Sequence, residues 1–89
     1  MNYSIVRIRI ENFNKWKPVY DDGQPGRKAA GLKNIHLWRN LDNPNEIVLL
    51  FEVSDIAKAK KFTTSPDLKE EMQKAGVLGP PDIVFLSDK

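Results

Sequence analysis

Two β-prone runs separated by a short polar turn constrain the fold of this chain more than any other feature. LKNIHLWRN, at residues 32–40, is followed by the turn residues LDNPN and then by NEIVLLFEV, at residues 45–53. Asp, Asn and Pro favour reversal of the chain direction, and the short spacing predicts an antiparallel hairpin. The near-continuous apolar character of the second run predicts a strand that is buried on both faces.

One further strand is predicted on each side of this hairpin. YSIVRIRI, at residues 3–10, alternates in the way expected of a strand, and Val6, Ile8 and Ile10 share one of its faces. IVFLS, at residues 83–87, follows the breaker segment VLGPPD and predicts a final strand.

The segment between the first two strands is predicted to be helical. ENFNKWKPVYDD, at residues 11–22, places Phe13, Trp16 and Tyr20 at helical spacing behind an asparagine cap. An interior proline removes a helix hydrogen bond, so Pro18 predicts a late start or a kink. GRKAAG then predicts one more short turn before Gly31.

Helical patterns also fill the segment after the hairpin. Ser54 is a candidate cap for a helix over DIAKAKKF, and Ser65 caps a second helix over SPDLKEEMQKAG. Pro66 suits the first helical position, and Gly76 suits the end. The resulting order β-α-β-β-α-β predicts an α+β, ferredoxin-like fold, with helices on one face of a four-stranded antiparallel sheet. Residues 1–89 form a single domain.

The strands of this sheet are apolar on both faces, whereas the helices cover only one. We therefore expect the open sheet face to pair with a second copy of the chain in a homodimer. The alternative is a monomer with a moderately apolar surface.

Composition and motifs exclude several classes of function. The net charge of +2, from 14 basic and 12 acidic residues, indicates neither a nucleic-acid partner nor an anionic membrane. The chain has no cysteine and only one histidine, so no metal site is expected. The N-terminus is neither a secretory signal nor a membrane span, which predicts a soluble, cytoplasmic protein. The chain also lacks the base-stacking aromatic motif of RNA-recognition domains and the phosphate-binding loop of acylphosphatases.

Most of the chain resembles a known family. The stretch from Gly31 to Met72 resembles the antibiotic biosynthesis monooxygenase group of the dimeric α/β-barrel superfamily. The whole chain is also similar to an uncharacterised branch of that superfamily, labelled monooxygenase or cyclase. The positions that match the monooxygenase group are Gly31, Trp38-Arg39, Asp42, Pro44, Asp55, Ser65-Pro66 and Leu68-Lys69. The segments that match the uncharacterised branch are KWK at 15–17, RKAAGLK at 27–33, DNPNE at 42–46 and MQKAGVLGPPDI at 72–83.

The resemblance implies a dimeric α/β barrel whose ligand lies in the cleft between helices and sheet. It also implies cofactor-free oxygenation or cyclisation of a small aromatic or polyketide-like molecule. The monooxygenases and their haem-degrading relatives carry a tryptophan where this chain has Val53, and a histidine where it has Phe62. In haem degradation that histidine is the axial ligand. No haem, and no other cofactor, is therefore expected.

Six residues are candidates for a functional site. His36 is the candidate general base, because an unperturbed histidine titrates near neutral pH; the alternative is a strand histidine with a structural role. Trp38 shares its strand face and is a candidate pocket wall, or else part of a core or dimer interface. Arg7 is a candidate for an anionic ligand or for an ion pair with Glu46 or Glu52. The remaining candidates for substrate binding are Trp16, Tyr20 and Phe62, which also suit the helix–sheet core.

Two functions of different classes therefore remain open. The first is a cofactor-independent monooxygenase or cyclase that acts on a small flat molecule, with His36 as the base. The second is a non-catalytic homodimeric barrel that binds a small apolar ligand or serves as an interaction module.

Overall fold

A computed structural model describes all residues of the chain, Met1–Lys89, and confirms the ferredoxin-like α+β fold. Each of the two predicted helical segments consists of two helices. The elements are β1 (Asn2–Ile10), α1 (Phe13–Asp22), α2 (Gln24–Ala29), β2 (Leu32–Arg39), β3 (Glu46–Val53), α3 (Ile56–Thr63), α4 (Pro66–Lys74) and β4 (Val77–Ser87).

The four strands form one antiparallel sheet in the order β2-β3-β1-β4. The predicted hairpin joins β2 to β3, and β1 lies between β3 and β4. Ser4, on β1, is the register partner of Phe51 on β3 and of Phe85 on β4. β1 is thus an interior strand of the sheet, and both of its edges are paired.

The helices cover one face of the sheet, as the sequence predicts. On that face the alternating residues of β1 and β3 are buried, among them Ile8, Ile10, Leu49 and Phe51, and Trp16 packs onto them from α1. The other face, called the open face below, carries the alternate residues of the same strands. The open-face residues used below are Ile5, Arg7, His36, Trp38, Glu46, Val48, Leu50, Asp82, Val84 and Leu86.

The first helix differs from the sequence-based expectation. It begins at Phe13 and continues through Pro18, where a late start or a kink was expected. Asn12 caps it, because its side-chain oxygen accepts a hydrogen bond from the Lys15 amide at 2.7 Å. Pro18 lies inside the helix on its exposed side. The carbonyl that it leaves without a partner, that of Asn14, is also on an exposed residue and can bond to water.

Two other boundaries also differ. Asp55, rather than Ser54, caps α3, since its carboxylate accepts a hydrogen bond from the Lys58 amide at 3.0 Å. The last strand begins at Val77 and is therefore six residues longer than the IVFLS run. The predicted cap of α4 is confirmed, because the Ser65 hydroxyl accepts from the Leu68 amide at 3.2 Å.

Candidate functional site

A cavity of about 90 Å³ lies between the helices and the covered face of the sheet. We call it the helix–sheet cavity. All four strands contribute to its floor, and α1, α2, α3 and α4 each contribute to its wall. Most of its lining is aliphatic or aromatic, which is the usual character of a small-molecule site. The lining side chains used below are those of Ser4, Trp16, Tyr20, Arg27, Phe62 and Met72.

Three of the predicted substrate-binding residues meet at this cavity. Trp16 and Tyr20 lie one turn apart on α1, and their rings stack with centroids 4.7 Å apart. Phe62 reaches the cavity from α3. The structure therefore brings Trp16, Tyr20 and Phe62 together as an aromatic wall, although they come from two distant segments of the chain.

Two hydroxyl groups at the cavity have no hydrogen-bond partner. The Ser4 and Tyr20 side chains both line it, and the oxygen atom of each hydroxyl is buried without a partner in the protein. Leaving a buried polar group unsatisfied costs about 1–3 kcal/mol. Native proteins hold few such groups, and a cluster of them calls for an explanation such as a ligand or a bound water.

Arg27 is the only charged side chain that lines the helix–sheet cavity. Its Nη1 donates a hydrogen bond to the Tyr20 carbonyl oxygen at 2.7 Å, and its guanidinium carbon lies 3.7 Å from the centroid of the Tyr20 ring. It forms no ion pair. Burial lowers the pKa of Arg27, while Tyr20, Asp21 and Glu71 favour its charged form.

Burial also affects the ionisation of the Tyr20 phenol, which is neutral near pH 7 even at the usual tyrosine pKa of about 10. It raises the pKa of the Tyr20 phenol to about 12, and the nearby Arg27 charge offsets only part of this rise. A neutral phenol is a hydrogen-bond donor, so Tyr20 can donate to an oxygen atom of a bound molecule.

Sequence analysis did not identify Ser4 or Arg27. For Ser4 a signal was available, because it shares strand parity with Val6, Ile8 and Ile10 and is the polar member of that apolar face. For Arg27 there was none, since its position depends on how α2 packs against α1.

The candidate base and its neighbour lie elsewhere. His36 and Trp38 are on the open face of β2, and their rings stack with centroids 4.9 Å apart. Both are exposed. The sheet separates them from the helix–sheet cavity of the same chain, so the structure does not bring His36 together with Trp16, Tyr20 and Phe62.

Arg7 also lies on the open face, where Glu46 is its partner. Its Nε donates to a carboxylate oxygen of Glu46 at 2.9 Å, and Asn40 donates to the same oxygen at 3.2 Å. The hydrogen bond from Arg7, followed by that from Asn40, holds the pKa of Glu46 below its usual value. Arg7 is thus engaged in a cross-strand ion pair within one chain.

The structure contains no group of three or more His, Asp or Glu side chains that could hold a metal ion. No helix is both long and apolar enough to cross a bilayer.

Comparison with solved structures supports the fold. A Bordetella bronchiseptica protein named "putative antibiotic biosynthesis monooxygenase" superposes with a TM-score of 0.76 at 16% identity, over 99% of this chain and 96% of the other. A conserved protein from Methanosarcina mazei gives 0.72 at 14% identity, over 99% and 92%. An uncharacterised NIPSNAP domain protein from Burkholderia xenovorans gives 0.65 at 16% identity, over 100% and 95%.

At these identities the likeness concerns the fold. No family model and no curated protein matches the sequence. The chain thus has the ferredoxin-like fold that the antibiotic biosynthesis monooxygenase structures also adopt.

Proposed function

We propose that this protein binds a small, flat, apolar molecule that carries an oxygen acceptor, in the helix–sheet cavity. One observation carries the proposal: the side chains of Ser4 and Tyr20, each with a buried hydroxyl that has no partner, line the same apolar cavity. A ligand oxygen that accepts from either hydroxyl would offset a desolvation cost that folding leaves uncompensated. Trp16 and Phe62 supply aromatic surface for the flat part of the ligand.

The cavity volume limits how much of the ligand it can hold. About 90 Å³ is smaller than the roughly 150 Å³ of an engineered apolar cavity that binds benzene. A ring therefore enters only if lining side chains move. Met72 is the flexible, partly exposed side chain of this wall, and a methionine can change rotamer at low cost.

Calorimetric titration of the purified protein with a panel of phenols, quinols and anthrones tests this proposal. We expect at least one compound to bind, and Tyr20→Phe and Ser4→Ala each to weaken it several-fold. Tyr3→Phe is the matched control, because it removes a phenol hydroxyl that does not line the cavity. If no compound binds, or if Tyr3→Phe weakens binding as much as Tyr20→Phe, the proposal is wrong.

Cofactor-free oxygenation of such a ligand is the second candidate, favoured by the shared fold with proteins named as monooxygenases. A methylene carbon conjugated with an aromatic ketone would lose a proton to give an enolate. Dioxygen would add to the carbanion, and the peroxide anion would take up a proton to give a hydroperoxide. Loss of water from the hydroperoxide would leave a carbonyl, so that dioxygen is the oxidant and no protein group changes its oxidation state. Donation from the Tyr20 hydroxyl to the enolate oxygen would stabilise the charge that develops.

Oxygen uptake with anthrones separates binding from turnover. Oxygenation predicts uptake that falls in Tyr20→Phe, whereas a binding module predicts no uptake above the buffer rate. His36→Ala tests the prediction that His36 is the base: loss of uptake with unchanged ligand affinity would support that role. Unchanged uptake would remove His36 from the mechanism.

We also propose that two copies pair through the open face. Apolar side chains of all four strands lie side by side there: Ile5 is in register with Leu50 and Val84, and Trp38 with Val48. Trp38 is 48% exposed and Val84 46% exposed. Apolar surface of this kind on a small domain favours burial against a self-complementary partner.

Sedimentation at micromolar concentration tests the dimer. We expect a species of twice the 10.2 kDa chain mass. Trp38→Lys should shift it toward the monomer, whereas Lys74→Glu, on the helical side, should not. A wild-type protein that sediments as a monomer would contradict this proposal.

A further inference from the structure

A groove of about 660 Å³ lies outside the helix–sheet cavity. It lies between the end of α3, α4 and the first half of β4, and we call it the α4–β4 groove. Hydroxyl, amide and proline side chains dominate its lining, with Lys69 as its only charged residue. The lining residues used below are Thr63, Lys69, Met72, Gln73, Gly79 and Pro81.

The groove adjoins the helix–sheet cavity. Thr63, Met72 and Pro81 line both. These three side chains therefore form the boundary between the two spaces. Movement of Met72, which entry of a ring into the cavity requires, would connect them.

An irregularity in β4 forms one wall of the groove. Arg7 pairs with Asp82, but Arg9 pairs with Leu78, so that three residues of β4 stand opposite the single residue between them on β1. The three residues are Gly79, Pro80 and Pro81. Gly79 has a φ of +73°, and prolines cannot donate to a strand ladder. The Gly-Pro-Pro segment thus leaves the sheet ladder and helps to shape the groove.

The helix–sheet cavity and the α4–β4 groove differ in volume and in lining, and this difference indicates the chemical class of a ligand that would occupy both. The cavity is apolar and admits at most a small group, whereas the groove is larger, carries hydroxyl, amide and ammonium groups among its apolar side chains, and is free of acidic residues. Lys69 forms no ion pair, so its ammonium group is available to a ligand anion.

We propose that the ligand is an elongated, acidic amphiphile, with a small apolar head in the helix–sheet cavity and a carboxylate tail in the α4–β4 groove beside Lys69. This inference rests on the small-molecule binding proposed above and adds the substrate class. Lys69 is then a specificity-determining residue for the tail. The role of the Gly-Pro-Pro segment is to hold the groove open next to the cavity.

Three probes that share a phenyl head test the inference by calorimetry. Toluene is the head alone, phenylpentanol adds a neutral tail, and phenylpentanoate adds an acidic one. Lys69→Glu should weaken the binding of phenylpentanoate about three- to tenfold, because an exposed charge pair contributes up to about 1 kcal/mol and the substitution reverses it. Binding of phenylpentanol should stay within about twofold.

Lys74→Glu is the matched control. It makes the same charge change on the same helix, at an exposed residue that does not line the groove. Amide resonances add a positional readout: Gln73 and Gly79 should shift with phenylpentanoate but not with toluene. Those of Ser4 and Phe62 should shift with both.

Each outcome decides for or against the inference. If all three probes bind but Lys69→Glu and Lys74→Glu weaken phenylpentanoate equally, the groove assignment is wrong while cavity binding stands. The groove assignment is also wrong, and cavity binding stands, if only toluene binds or if Lys69→Glu weakens the binding of phenylpentanol as strongly as that of phenylpentanoate. If no probe binds the wild-type protein, the groove assignment fails, whereas cavity binding is decided by the phenols, quinols and anthrones above, because the phenyl head carries no oxygen acceptor.

Discussion

The guanidinium group of Arg27 lies over the ring of Tyr20 and donates a hydrogen bond to the Tyr20 carbonyl oxygen. The distances are 3.7 Å from the guanidinium carbon to the ring centroid and 2.7 Å from Nη1 to the oxygen. This double contact ties α2 to the end of α1. It also fixes the ring whose hydroxyl is buried at the helix–sheet cavity.

Removal of this contact should destabilise the protein. We expect Arg27→Ala to lower the free energy of unfolding by about 1–2 kcal/mol, since a cation–π contact and a charged hydrogen bond are both lost. Urea denaturation measures the change. Lys28→Ala, at the adjacent exposed residue, should stay within about 0.5 kcal/mol of wild type. Equal urea midpoints for the two variants would show that the contact contributes nothing.

The Tyr20 phenol should titrate abnormally late. Burial raises its pKa to about 12. Since the chain has two tyrosines, Tyr3→Phe leaves phenolate absorbance that reports Tyr20 alone. We expect no phenolate signal from the folded variant at pH 10. A half-formed signal at that pH would contradict the burial of the hydroxyl.

The same shift makes stability depend on pH in a defined direction. In the unfolded chain a tyrosine has a pKa of about 10, so above that pH the unfolded state loses the proton while the folded state keeps it. The contribution of Tyr20 to stability is therefore complete below about pH 10 and is lost as the pH rises toward about 12. Tyr20→Phe should remove this part of the decline, which paired denaturation curves across the window would measure.

Ser4 and Ser65 should respond to the same substitution with opposite signs. The Ser4 hydroxyl is buried without a partner, so Ser4→Ala should raise the free energy of unfolding by up to about 1 kcal/mol. The Ser65 hydroxyl caps α4, so Ser65→Ala should lower it by about 1 kcal/mol. Thermal unfolding measures both changes. A destabilised Ser4→Ala protein would show that its hydroxyl has a partner, such as a bound water.

The cap of α3 offers a further test of the structure. Asp55→Ala should lower the free energy of unfolding by about 1 kcal/mol, because it removes the side-chain acceptor for the Lys58 amide. Ser54→Ala removes only an exposed hydrogen bond of 3.3 Å to the Gly31 carbonyl and should cost less. The reverse order of the two urea midpoints would mean that Ser54 is the cap.

The element order was predictable because it depends on local patterns. Alternation placed Val6, Ile8 and Ile10 on one face of β1, and the Asp, Asn and Pro residues of the hairpin specified its turn. The length of β4 was not predictable. Its Gly-Pro-Pro segment is a local pattern that predicts the end of a strand. Residues 77–87 form one strand because the residues on both sides of that segment pair with β1.

The candidate site, too, was predictable only in part. The periodic spacing of Trp16 and Tyr20 indicated that they share one side of α1, and they do line the cavity with Phe62. His36 was predicted to be the base for a ligand in the same cleft, with Trp38 beside it as a pocket wall, but strand parity places these two on the open face. Parity in β2 depends on the register shift between Asn34 and His36, which the sequence does not reveal.

The sequence by itself determined the ferredoxin-like order of elements and the two apolar faces of the sheet, because periodicity and turn chemistry act over a few residues. Only the tertiary structure decided which polar groups meet at a cavity. Arg27 reaches Tyr20 through the packing of α2 on α1, and Ser4 lines the same cavity as Tyr20 only because α1 packs against the covered face of the sheet. Whether a polar group is satisfied depends on neighbours that are distant in the chain, so the unpartnered hydroxyls of Ser4 and Tyr20 were visible only in the folded molecule.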